Sequence, residues 1–173
     1  MKFVGETGAY NLYFSLIDAK FYMEEYKTEQ EVEIVDLTGK WTLGTNAYDN
    51  TSGSNKQTAT INGVEYSNLL KLGASSKGGT ATFTIPAGTT RLTYSAVAWK
   101  GKNVTLKFTI DGKNYQQKLI ANDTATGNPK YKITSTEQDN YILEISVDTQ
   151  TSVTVNSGSE RALIWDLKAV VVK

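Results

Sequence analysis

A chain of 173 residues is long enough to bury a full core as one domain. It has no cysteine, which excludes disulfides and thiolate metal sites, and 18 basic against 18 acidic side chains, which removes the positive footprint of nucleic-acid binding. No apolar run approaches the roughly 20 residues of a membrane span. Residues 1–10 lack the basic and apolar regions of a signal peptide, so the chain is expected to be soluble and either not exported by that route or trimmed.

The N-terminal stretch "AYNLYFSLIDAKFYMEEYK" supports two periods. Tyr10, Leu12, Phe14 and Leu16 alternate as a strand, whereas Leu12, Leu16, Ala19 and Met23 share a helix face. Five aromatic residues between Tyr10 and Tyr22 favour strands, so residues 1–35 are read as aromatic N-terminal strands, with a docking arm as the alternative. Residues 43–57 are rich in Gly, Asn and Ser without periodicity, which predicts a long loop, a usual seat of binding. Ile61-Asn62-Gly63-Val64 then signals a hairpin, because Asn-Gly accepts the positive φ that a tight two-residue turn requires.

From residue 79 onward period two dominates. Phe83 and Ile85 alternate with Thr82 and Thr84 until Pro86-Ala87-Gly88 breaks the ladder. Leu92, Tyr94, Ala96 and Ala98 share the next strand's first face. Its other face runs from polar to apolar through Thr93, Ser95, Val97 and Trp99, the pattern of a strand that passes from open surface into a contact. Val104, Leu106, Phe108 and Ile110 alternate with Thr105, Lys107 and Thr109, Asp111-Gly112 makes a tight turn, and 113–120 returns. Further strands are predicted at 131–135, 140–147, 151–156 and 161–172. About a dozen short strands and no convincing long helix predict an all-β single domain over 1–173, two antiparallel sheets packed as a β-sandwich. A jelly-roll or galactose-binding-like form is preferred to an immunoglobulin-like one, since the strands exceed about seven and a Cys…Trp…Cys pattern is impossible.

The chain contains no histidine, which excludes Ser-His-Asp and Cys-His nucleophile systems and most catalytic zinc sites. A carboxylate pair for glycoside hydrolysis remains, with Glu24, Glu25, Glu33, Glu65 and Glu144 as members, but none has a supporting motif and the chain is read as non-enzymatic. Binding on aromatic platforms suits the composition better, because a sugar's C–H face stacks on Trp or Tyr while amides and carboxylates take its hydroxyls. The candidates are Trp41, Tyr48, Trp99 and Tyr131, with Asn46, Asp49 and Asn50 beside the first two. Caps on the two open ends of the core are the reading of Trp41 and Trp99 preferred to a glycan contact, and Trp165 in "RALIWDLKAVVV" reads as core. No cofactor is expected, although a structural calcium could be held by Glu31 or Glu33 with Asp166, an early strand and the last strand supplying the carboxylates. N-x-S/T triplets begin at Asn50, Asn103 and Asn122.

The segments "LLKLGASSKGGTATFTIPAGTTRLTYSAVAWKGK", "NDTATGNPKYKIT" and "RALIWDLKAV" resemble β-sandwich modules of Bacteroidetes surface lipoproteins, a resemblance covering about residues 58–173. It implies a non-catalytic adhesion or interaction module at the cell surface or outside the cell, with a glycan or another protein chain as partner. The chain departs from such modules in lacking a lipobox cysteine and in its aromatic stretch 10–26. That stretch motivates a second class, a phage virion protein such as a capsid decoration or head-fibre component. Tyr13, Phe14, Phe21 and Tyr22 would then form the assembly contact in the virion or in a homo-oligomer.

Overall fold

The computed structural model describes residues 30–49, 51, 57–61, 64–99, 102–119, 125–127, 131–135 and 140–173. Val32–Lys173 forms one compact unit. Tyr13, Phe14, Phe21 and Tyr22, and with them the choice between strands and arm, lie outside the described residues, as does Asn50.

Among the described residues there are fifteen strands and no helix. In chain order they are β1 (Val32–Asp36), β2 (Trp41–Leu43), β3 (Ala47–Tyr48), β4 (Gln57–Ile61), β5 (Val64–Tyr66), β6 (Leu70–Leu72), β7 (Thr80–Ile85) and β8 (Thr89–Ala98). They continue as β9 (Thr105–Ile110), β10 (Lys113–Lys118), β11 (Ala125–Gly127), β12 (Tyr131–Ser135), β13 (Asn140–Val147), β14 (Thr151–Asn156) and β15 (Ala162–Val172). The first sheet runs β13-β8-β15-β6-β3, with β1 also paired to β15; the second runs β10-β9-β14-β7-β2. Every pairing in these two sheets is antiparallel.

Alternation explains how the two sheets close on one another. Leu92, Tyr94, Ala96 and Ala98 of β8 and Leu106, Phe108 and Ile110 of β9 all point into one buried cluster, with Phe83 and Ile85 of β7 and Val153 and Val155 of β14. Burial of each Leu, Ile, Val or Phe among them stabilises the sandwich by about 1.5–3 kcal/mol. Within it Tyr94 stacks on Tyr141 at 5.6 Å and meets Phe108 in a tilted contact at 5.0 Å between ring centroids. The turn after β9 has φ of 48° at Asp111 and 71° at Gly112, the positive values that select Asp-Gly there.

Two features go beyond a plain sandwich. A third sheet, β11-β12-β4-β5, contains a parallel pair, β12 with β4, alongside the antiparallel hairpin in which Ile61 faces Val64. The outer face of the first sheet also carries its own buried cluster: Leu69, Val97, Trp99, Leu163 and Trp165, with Tyr66 of β5 against it at 6.0 Å from Trp165. The polar-to-apolar drift along β8 is therefore a contact made within the chain. Strand β15 serves both clusters by means of a bulge between Trp165 and Lys168, where Asp166 takes φ 51°. Before it, Ala162 and Ile164 face the inner core; after it, Leu167 and Ala169 do.

Candidate functional site

The residues singled out around the 43–57 segment come together in two groups on opposite faces of one short strand. In β3, Ala47 points into the core and Tyr48 lies over Lys71 on the outer face; Asp49, just past the strand, turns back toward the core side. Trp41, in the edge strand β2 of the second sheet, donates its indole Nε1–H to Asp49 Oδ2 at 3.0 Å. The first sheet ends at β3, so this bond clasps the two sheets at their open edge. The other carboxylate oxygen, Oδ1, accepts the Thr51 N–H at 2.8 Å and the Thr51 hydroxyl at 2.6 Å. Asp49 is only 7% exposed, and these bonds compensate much of the cost of burying its charge.

A cleft of about 280 Å³ opens over this clasp. Its lining is the β1–β2 turn (Thr38, Gly39, Lys40), then Trp41, Asp49, Thr51 and Asn68. Sequence reading named Trp41 and Asp49 of this set and missed the rest, because nothing local marks a turn lysine or an isolated asparagine as facing a cleft. Asn68 does carry a signal in the structure, a φ of 61° that few side chains tolerate. Asn46, also at positive φ (50°), spends its amide on the Gly78 carbonyl at 3.1 Å and holds the neighbouring loop.

Neither Trp41 nor Trp99 is an open stacking platform, each being 8% exposed. Trp41 belongs to the inner core and Trp99 to the outer-face cluster. Trp99 is further covered by two cations, Arg161 with Cζ at 4.8 Å and Lys71 with Nζ at 5.6 Å from the ring centroid. Lys71 Nζ also lies 4.9 Å over the Tyr48 ring, so a single ammonium joins two aromatic residues that the sequence reading proposed separately. Trp165 is buried, as read, but in the outer-face cluster. The side chain of Tyr131 lies outside the described residues.

The carboxylates considered for calcium do not converge. Glu33 lies opposite Val171 and pairs with Lys173 at 2.9 Å, well along β15 from Asp166, which pairs with Lys168 at 2.7 Å. Glu31 is exposed, and no group of three metal-ligating side chains occurs among the described residues. Asp36 accepts the Thr38 N–H at 2.9 Å; that bond, aided by Lys168 and Lys40, holds its carboxyl below the usual range. Lys168 is raised in turn by its hydrogen bond to Asp166. Of the carboxylates weighed for catalysis, Glu65 and Glu144 are exposed, Glu144 lying 3.9 Å from Arg91, and Glu24 and Glu25 fall outside the described residues.

Replacing Asp49 by Ala is expected to lower unfolding stability by about 1–3 kcal/mol, since it strands a buried indole N–H and removes the two bonds from Thr51. Urea unfolding followed by tryptophan fluorescence reads this directly; an unchanged midpoint would remove the clasp from the account.

No protein-family model and no curated protein matches the chain. Among solved structures it is similar to a CBM35 from Paenibacillus barcinonensis, with 11% identity and a TM-score of 0.51 over 82% of this chain and 99% of that one. It is also similar to a family 35 carbohydrate binding module from Clostridium thermocellum, with 13% identity and a TM-score of 0.49 over 81% and 97% of the two chains. A family two carbohydrate esterase from Cellvibrio japonicus gives 11% identity and a TM-score of 0.47 over 83% of this chain, which spans 34% of the esterase's length. The chain is an all-β sandwich of the jelly-roll kind. No helix among the described residues is long and apolar enough to cross a membrane.

Proposed function

We propose that the chain is a non-catalytic β-sandwich module that binds a glycan at the cleft over the Trp41–Asp49 clasp, acting outside the cell or on its surface. The observation that carries this reading is the cleft's composition. Hydroxyls of Thr38 and Thr51, the Asn68 amide and the Lys40 ammonium stand around an indole and a fixed carboxylate, the mixture of apolar and polar groups that suits a sugar's two kinds of surface. At about 280 Å³ it is at the small end of ligand clefts and matches one ring at a chain end or branch better than a long run of sugars.

The same lining supports the non-catalytic reading. Among the described lining residues Asp49 is the one carboxylate, and both its oxygens already accept hydrogen bonds, so these residues offer no acid and base pair. The fold likeness to a family 35 module adds support at the level of architecture alone.

A glycan array probed with wild type, Lys40→Ala and Asn68→Gly tests the reading. Neither side chain belongs to the buried core, and glycine accepts the positive φ at 68. Binding that either variant weakens about ten-fold or more, with an unchanged melting temperature, is the expected result. Binding that neither variant alters would move the site elsewhere, and no binding at all would favour an assembly role.

A further inference from the structure

Two cations share one indole on the outer face of the first sheet. The register puts them there: Lys71 pairs with Tyr48 on one side and Leu163 on the other, Leu163 pairs with Val97, and Arg161 and Trp99 occupy the adjoining row. Arg161 Cζ stands 4.8 Å and Lys71 Nζ 5.6 Å from the Trp99 ring centroid. We propose that Lys71, Arg161 and the rings of Trp99 and Tyr48 form an anion-binding site that takes an oxyanion, a carboxylate or sulfate group, between the two cations.

Several observations point the same way. Lys71 is only 4% exposed, so its charge is held largely out of water. Desolvation first, and the Arg161 charge second, push its pKa down to about 8, so Lys71 feels Arg161 as a neighbouring cation on the same indole. Arg161 Nε is buried and has no hydrogen-bond partner, which leaves a donor of the planar fork that matches oxyanions. Glu160, next in the chain, has one oxygen on Lys102 at 3.2 Å and the other buried without a partner. Its charge would oppose a bound anion beside Arg161. The inference does not rest on the glycan cleft, because Tyr48 faces Lys71 whereas Asp49, just past β3, bonds to Trp41.

Calorimetric titration with sodium sulfate and sodium acetate at pH 7, at ionic strength held constant with sodium chloride, tests the site. Saturable binding of at least one anion is expected, weakened about ten-fold or more in Arg161→Gln and not weakened in Glu160→Gln. In the wild-type protein, saturating anion should also raise the Lys71 pKa, read by NMR, toward the ordinary lysine value. Absence of saturable binding, equal affinity in Arg161→Gln, or a Lys71 pKa that saturating anion leaves unmoved would overturn the proposal. Retained affinity in Arg161→Lys with loss in Arg161→Gln would locate the effect in the charge and support it.

Discussion

Gly78→Ala is expected to leave the chain unable to fold at 25 °C, the largest effect of any single methyl group here. A Cβ at position 78 would lie within the carbonyl group of Gly158, and the obstacle is backbone that cannot swing aside as a flexible side chain would. The loop before β7 and the turn after β14 meet backbone to backbone at this point. Gly79 closes the same junction: its N–H donates to Ser157 Oγ at 3.0 Å, and its own Cβ would strike Gly73 and the Asn46 carbonyl. Relief would require parting β7 from β14, which are hydrogen-bonded neighbours in the second sheet. A loss beyond about 4 kcal/mol follows from that class of clash, comparable to most of a small domain's net stability. Circular dichroism of the purified variant checks it, with Gly112→Asn as the control: position 112 has φ 71° and open space around it, and Asn tolerates that φ. A Gly78→Ala variant that melts within a few degrees of wild type would show that the junction is looser than drawn.

Lys71 carries the second large effect, and it is a dependence on pH. Its pKa is lowered from 10.5 to about 8 by desolvation and by Arg161. Below pH 8 the folded and unfolded chains both hold the proton, and the full cost of the buried charge is present. Between pH 8 and 10.5 the folded chain sheds the proton while the unfolded chain keeps it, so stability rises with pH across that window. The total rise is roughly 3 kcal/mol at most, from about 1.36 kcal/mol per pKa unit. Tyr94 works in the opposite sense at higher pH. Its hydroxyl is raised by burial and by Tyr141, so the unfolded chain ionises first above pH 10 and stability falls again. The informative window is therefore pH 7.5–9.5, where chemical denaturation of wild type should show stability increasing and Lys71→Met should show none of that slope. Methionine keeps the apolar stem between Tyr48 and Trp99 and removes the charge. An equal slope in both proteins would assign the titration to another group.

Most of the sandwich was legible because its strands have one wet and one dry face. Val104 to Ile110 alternates cleanly, and the Asp111-Gly112 turn follows from the positive φ those two residues accept, so strand, turn and return were readable from a dozen residues. The outer half of the molecule was not. Lys71 sits between Leu70 and Leu72, and alternation alone assigns it to solvent; its burial depends on what covers the far side of the sheet, which no local pattern records. The parallel pairing of β4 with β12 joins segments far apart in the chain and leaves no turn signature. The bulge at Asp166 was hidden for a related reason. "ALIWDLKAVVV" is apolar at nearly every position, so the point at which its faces exchange cannot be seen until both buried clusters are known. At the site, Trp41 and Asp49 were readable as neighbours in a polar, aromatic segment. That they bond to each other, and that the indole is a wall rather than a platform, depends on where the two sheet edges end.

The pairing of β1 with β15 also sets how this unit answers to tension. The two strands are antiparallel, with Val32 beside Val172, so the first residue of β1 and the last residue of β15 lie side by side. A pull applied between those points loads the hydrogen bonds of this pair one after another, like a zipper opened from its end, and does not shear the whole ladder at once. The unit is thus built to peel at low force from the β1 end, while β9 and β14, flanked on both sides in the second sheet, lie away from the line of load.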